Sequence, residues 1–158
     1  MGAVEEVRNI FHGALPLWFY SYRIDSPGRR TTSRRTESTM TLYHGTRSDT
    51  LSAFVGLCLT PDQDAAARYA RRSGTVYEVA ISLDGLNVLD VEVAQSDIDD
   101  NNWPGDSDES VAALVAKGAD VVRYTDMDEQ GYTHTTLRLL TPAAVAAVSG
   151  VVALTEEE

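Results

Sequence analysis

Three kinds of side chain in this sequence are placed where they could do chemistry. His44 sits in Thr41-Leu42-Tyr43-His44-Gly45-Thr46, an apolar, β-prone stretch that ends in an imidazole, a glycine and a hydroxyl. That order sets an imidazole at the mouth of a strand, beside backbone that a flat ligand can approach closely. Tyr69 lies among alanines at helical spacing in Ala65-Ala66-Ala67-Arg68-Tyr69-Ala70. Carboxylates cluster further on in Asp126-Met127-Asp128-Glu129, shortly before His134. Together these can bond a hydroxyl, stack on a ring and place negative charge beside a developing cation. Each also has an ordinary reading: a turn histidine, a core aromatic, a solvated hairpin loop.

The elements that must position them read as follows. Thr41–His44 is a strand, and Arg47 to Phe54 a short polar helix or loop, with Asp49 able to cap it. Leu57–Thr60 is a second strand. Thr60-Pro61 then signals helix entry, with Thr60 as N-cap and proline at the first helical position. The helix closes on Arg71-Arg72 and Gly74. Thr75–Leu83 alternates and is β-branched, the clearest strand in the chain. Asn87–Val93 is another, followed by a long acidic surface loop from Gln95. Ser107 or Asp108 caps a helix running from Glu109 to Lys117 and ended by Gly118. Asp120–Tyr124 is a strand, Thr125–Gly131 a polar loop and Thr133–Leu140 a strand. Thr141-Pro142 opens a short helix or strand. About six strands with two or three short helices, several strands following one another directly, make an α+β domain.

The chain of 158 residues suits one domain, with 43% apolar residues to build its core. Its charge is uneven. Residues 1–39 hold six arginines against four acids, whereas the remainder holds seven basic residues against twenty acids. We read 1–39 as a flexible basic leader or linker, 40–153 as the folded domain and 154–158 as an acidic tail. Met40 is then either the natural start, or the end of a basic arm that contacts a partner. A net charge of −11 disfavours broad nucleic-acid binding. No apolar run is long enough for a membrane helix. The single cysteine, Cys58, cannot form an internal disulfide, which fits a reducing cytoplasm. His12, His44 and His134 lack metal-ligand spacing, and no Rossmann or P-loop glycine cradle occurs.

In order and spacing, Tyr43-His44-Gly45-Thr46 and the run from Leu59-Thr60 to Tyr69-Ala70 resemble the first two motifs of the ADP-ribosyltransferase superfamily, in its histidine–tyrosine–acid branch. The resemblance spans Met40 to Leu140. It implies a split antiparallel β-sandwich that moves ADP-ribose from NAD to a macromolecular acceptor, with a host protein expected before a nucleic acid. It further implies that His44 bonds the nicotinamide-side ribose, that Gly45 offers backbone to the carboxamide and that Tyr69 stacks on nicotinamide. Tyr43, Thr46 and Thr60 belong to the same NAD-binding motifs. Arg47 either reaches the diphosphate or is an ordinary exposed arginine. At the family's usual place for the acid stands Thr133-His134-Thr135, which has none. The loop Asp128-Glu129-Gln130-Gly131 is similar to that of small phage anti-CRISPR ADP-ribosyltransferases, which implies Asp128 as the acid, with Glu129 second. His134 as an acceptor-side base is a further option.

Two rivals keep the fold and change the function. A non-catalytic binding module would have the irregular third motif for its reason. RNA 2′-phosphotransfer would need more phosphate-gripping arginines than the acidic domain supplies.

Overall fold

The computed structural model describes residues 38–154. The expected basic leader, apart from its last residues, and most of the acidic tail lie outside them. Among the described residues, seven strands and four short helices make an α+β arrangement in which several strands follow one another directly. Two sheets carry the fold. The first holds β1 (Thr39–Thr46), β3 (Thr75–Ser82) and β7 (Val148–Leu154), all antiparallel, with β3 central. The second has the order β2 (Cys58–Leu59), β6 (Thr133–Leu139), β5 (Val121–Met127), β4 (Val88–Asp90). Its β4–β5 pair is parallel, which departs from the all-antiparallel expectation.

Alternation along the strands explains the layering. On β3, Tyr77, Val79 and Ile81 point inward and are buried. They meet Leu42 of β1 and Leu59, Val121, Leu137 and Leu139 of the second sheet in one apolar core. Val122, Tyr124 and Leu140 instead join Val91, Leu114 and Ala119 in a second cluster, beneath α3 (Asp108–Ala116). Each fully buried aliphatic side chain in these clusters contributes about 1.5–3 kcal/mol relative to exposure.

The sheets touch where the sequence places its first two motifs. Tyr43 donates its N–H to the Thr60 carbonyl at 2.7 Å and accepts from the Thr60 N–H at 2.9 Å. This one bridge joins β1 to the end of β2. Helix α1 (Gln63–Ala70) then lies across β1.

Several element boundaries differ from expectation. Thr60 is not the N-cap of α1. Asp62 is, accepting from the Ala65 N–H, and the Thr60 hydroxyl accepts from the Asp62 N–H to form the turn before it. Arg47 to Phe54 forms no helix. The acidic stretch after Val93 contains a short helix, α2 (Gln95–Asp99). Ser107 caps α3 as its sequence indicates. Thr141 caps α4 (Pro142–Ala146), and β7 follows it. Strand β5 runs on to Met127, so the polar loop is shorter than Thr125–Gly131. Thr39 pairs with Ser82 and Leu154 with Val76, so the described strands include residues just outside the expected 40–153. No described helix is long and apolar enough to cross a membrane.

Candidate functional site

The face of the second sheet that turns away from the main core carries polar side chains beside the second apolar cluster. Register places Asp126 of β5 opposite His134 of β6, Tyr124 opposite Thr136, and Cys58 of β2 opposite Arg138. Period-two alternation therefore puts these side chains on one face. The end of β1 and helix α1 stand beside that face, and between them lies a cavity of about 340 Å³. His44, Tyr69, Asp126 and His134 all line it, and Trp103 closes one side.

His44 is oriented by backbone. Its Nδ1 lies 2.8 Å from the Cys58 carbonyl, and a carbonyl only accepts, so Nδ1 carries the proton. In the neutral ring this leaves Nε2 as an acceptor facing the site. Burial lowers the His44 pKa, with the Cys58 bond opposing it in part, so the ring is neutral at pH 7. A ligand hydroxyl held by Nε2 should bind equally well across neutral pH. Its affinity should fall as acid protonates Nε2, at a pH below the ordinary imidazole value of 6.5. NAD titrations across pH check this; affinity that instead strengthens in acid would refute it.

Gly45 has a steric duty the sequence does not reveal. A Cβ there would stand 1.7 Å from the Ala66 carbonyl oxygen and 2.8 Å from the Ala70 nitrogen. Helix backbone thus fills the side-chain space that a flat ligand was expected to use. The Gly45 peptide is still placed to meet a ligand. Tyr43 spends its N–H and C=O on Thr60, and alternation turns those of Gly45 toward the same side, where the antiparallel bridge sets Gly45 level with Cys58.

Tyr69 projects from α1 and remains 42% exposed. Its ring meets His134 edge to face at 5.5 Å. Burial, with Asp126 and Asp128 nearby, raises its pKa and keeps the phenol neutral. Thr60 is buried and lines the cavity together with Tyr43. Thr46 does not; its hydroxyl accepts from the Ser48 N–H. Arg47 belongs to an adjoining hollow of about 590 Å³, which it lines with Arg68, Arg71 and Gln130. Tyr69, Asp128 and Glu129 border both spaces.

The carboxylates divide by partner. Asp128 is buried, and both of its oxygens are engaged. Oδ1 accepts from the Gln130 and Tyr132 N–H groups at 2.9 Å each, and Oδ2 accepts from Arg68 Nε. It is the hub of its loop. Glu129 is exposed and takes both of its bonds from Arg71 Nη2. Asp126 is the acid set against the cavity floor. Oδ1 accepts from the Met127 N–H at 2.7 Å, and Oδ2 from the Thr136 hydroxyl at a long 3.3 Å. Burial raises its pKa, offset in part by these bonds and by His134.

The resemblance gives the acid role to Asp128 and then Glu129, and a strand ending at Tyr124 leaves Asp126 in the loop without a role. Continuing the alternation Val122, Tyr124, Asp126 would have set it on the face opposite His134. Trp103 and Arg138 were also passed over. Trp103 stacks on Tyr124 at 6.1 Å. Arg138 anchors the Trp103 loop through the Pro104 carbonyl and Asp106. Its Nε also lies 3.0 Å from Cys58 Sγ, yet burial outweighs the guanidinium and raises the Cys58 pKa. Cys58 is therefore a thiol at neutral pH and a poor nucleophile.

Compared with known proteins, the chain matches no family model, no curated protein and no solved structure.

Proposed function

We propose that this protein is an NAD-dependent mono-ADP-ribosyltransferase, releasing nicotinamide as it moves ADP-ribose to a macromolecular acceptor, a host protein in the first instance. The observation that carries the reading is the convergence of His44, Tyr69 and Asp126, from three separate elements, on one cavity. An acceptor nitrogen, an aromatic platform and a buried carboxylate are the parts that cleavage of the nicotinamide–ribose bond needs.

The roles are those the resemblance implies, and the arrangement of the cavity is compatible with them. His44 Nε2 accepts from a hydroxyl of the nicotinamide ribose, and the Gly45 peptide meets the carboxamide. Tyr69 stacks on the pyridinium ring, adding roughly 0.5–1.5 kcal/mol beyond area burial. The carboxylate role passes from Asp128, which is ion-paired to Arg68 and takes two further backbone bonds, to Asp126, which takes one bond on each oxygen and keeps acceptor capacity for the oxocarbenium-like transition state. Arg47, Arg68 and Arg71 suit the diphosphate, since their hollow adjoins the cavity. In the family the acid stands at the start of the last long strand; here it comes from the neighbouring strand, directly across from that position.

The commitment of Asp128 to its own loop favours one alternative, a binding module with this architecture and no turnover. Incubation with labelled NAD and a host lysate, followed by mass spectrometry of the labelled species, separates the two. The enzyme reading expects a covalent +ADP-ribose adduct, absent with His44→Ala. NAD binding without any adduct or nicotinamide release would leave the module.

A further inference from the structure

His134 is a buried polar side chain of this site to which the roles above give no part. It is 7% exposed and lines the cavity. Its Nδ1 is buried with no hydrogen-bond partner. An unpaired buried nitrogen is costly, and one in a folded protein calls for an explanation, a catalytic role among them. Only Nε2 is then open to a molecule in the cavity. The residue directly across the strand pair is Asp126, whose Oδ2 is held by nothing stronger than the 3.3 Å bond from Thr136. Hydrogen bonds within a catalytic pair are often loose before substrate binds and close in the complex.

We propose that Asp126 and His134 form a carboxylate–imidazole pair that takes the proton from a hydroxyl acceptor. The inference rests on the transferase reading above and names its acceptor class. Asp126 turns to accept from His134 Nδ1–H, which aligns the ring and leaves Nε2 as the base. The C1′–N bond to nicotinamide breaks, and its electron pair leaves with nicotinamide. The acceptor oxygen forms the new C1′–O bond, and its proton passes to His134 Nε2 and then to solvent. Nothing is oxidised or reduced. A carboxylate acceptor would need no such base, whereas an alcohol or water is a weak nucleophile until its proton is drawn away.

The test uses the full chain, NAD and three small nucleophiles: water, methanol and azide. The wild type should release nicotinamide and form a methyl glycoside of ADP-ribose with methanol. His134→Asn should bind NAD almost unchanged. Its transfer to methanol and water should fall on the order of 10²–10⁴-fold. Azide has no proton to lose and should restore much of the lost turnover. His134→Leu removes the unpaired nitrogen and should melt no lower than the wild type while remaining inactive. Wild-type methanol transfer by His134→Asn would overturn the inference and leave the transferase reading standing. So would a loss that azide does not repair, accompanied by a lower melting temperature in both variants. A wild type that releases no nicotinamide with any of the three nucleophiles would overturn the reading and this inference together.

Discussion

Asp126→Asn is expected to lower nicotinamide release by about 10²–10³-fold, the loss typical when one preorganised charge-stabilising group is removed. NAD affinity should change little. In the proposed reaction the carboxylate faces charge that develops only as the glycosidic bond breaks, so its effect should belong to kcat and not to binding. The size of the substitution is small, and only two modest bonds hold the side chain, from the Met127 N–H and the Thr136 hydroxyl. Melting temperature should therefore stay near that of the wild type. Asp128→Asn offers the contrast. It weakens the bond from Arg68 and two backbone contacts that close the loop. Any fall in activity there should come with a fall in stability. Single-turnover rates, NAD titrations and thermal melts of both variants separate the two cases. Full activity in Asp126→Asn, with a stable but inactive Asp128→Asn, would return the acid to the loop.

Gly45→Ala should produce a large loss of stability for a single added methyl group. The new Cβ would fall inside the Ala66 carbonyl, and backbone cannot swing aside as a flexible side chain can. Helix α1 must lift from β1 or the bridge between Tyr43 and Thr60 must break. Overpacking typically costs 1–3 kcal/mol and occasionally more; here we expect on the order of 3 kcal/mol, a fall in Tm of roughly 10–20 °C. Gly150→Ala is the matched control, since its Cβ would meet only the Ala80 Cβ, at 3.8 Å. That change should stay within about 0.5 kcal/mol. Equal melting of the two variants would show that α1 does not pack on Gly45 as described. Because α1 also carries Tyr69, Gly45→Ala should weaken NAD binding as well.

Much of the scaffold was legible in the sequence because its signals are local. The alternation of Tyr77, Val79 and Ile81 marks β3, and Ser107 and Thr141 mark helix starts through hydroxyls that cap in the structure. Where the reading slipped, a non-local partner decided the outcome. Thr60 looked like a cap, but pairing with Tyr43 holds its backbone in extended form, and the cap moved to Asp62. Strand β5 runs past Tyr124 because β6 pairs with it as far as Met127–Thr133. Strand β4 finds a parallel neighbour that no short-range pattern encodes. The same logic governs the site. His44 and Tyr69 are named by their own segments, and the structure brings both to one cavity. The acids could not be ranked by sequence alone. Which of Asp126, Asp128 and Glu129 meets the cavity without an arginine partner depends on Arg68 and Arg71, some sixty residues away.

The central claim is that His44 and its partners cleave the nicotinamide–ribose bond of NAD. Nicotinamide release from NAD by the purified full chain, followed by chromatography beside His44→Ala, tests it most directly. The account predicts steady release by the wild type and loss of release in a variant that still folds. No release by the wild type, or equal release by both proteins, would contradict it.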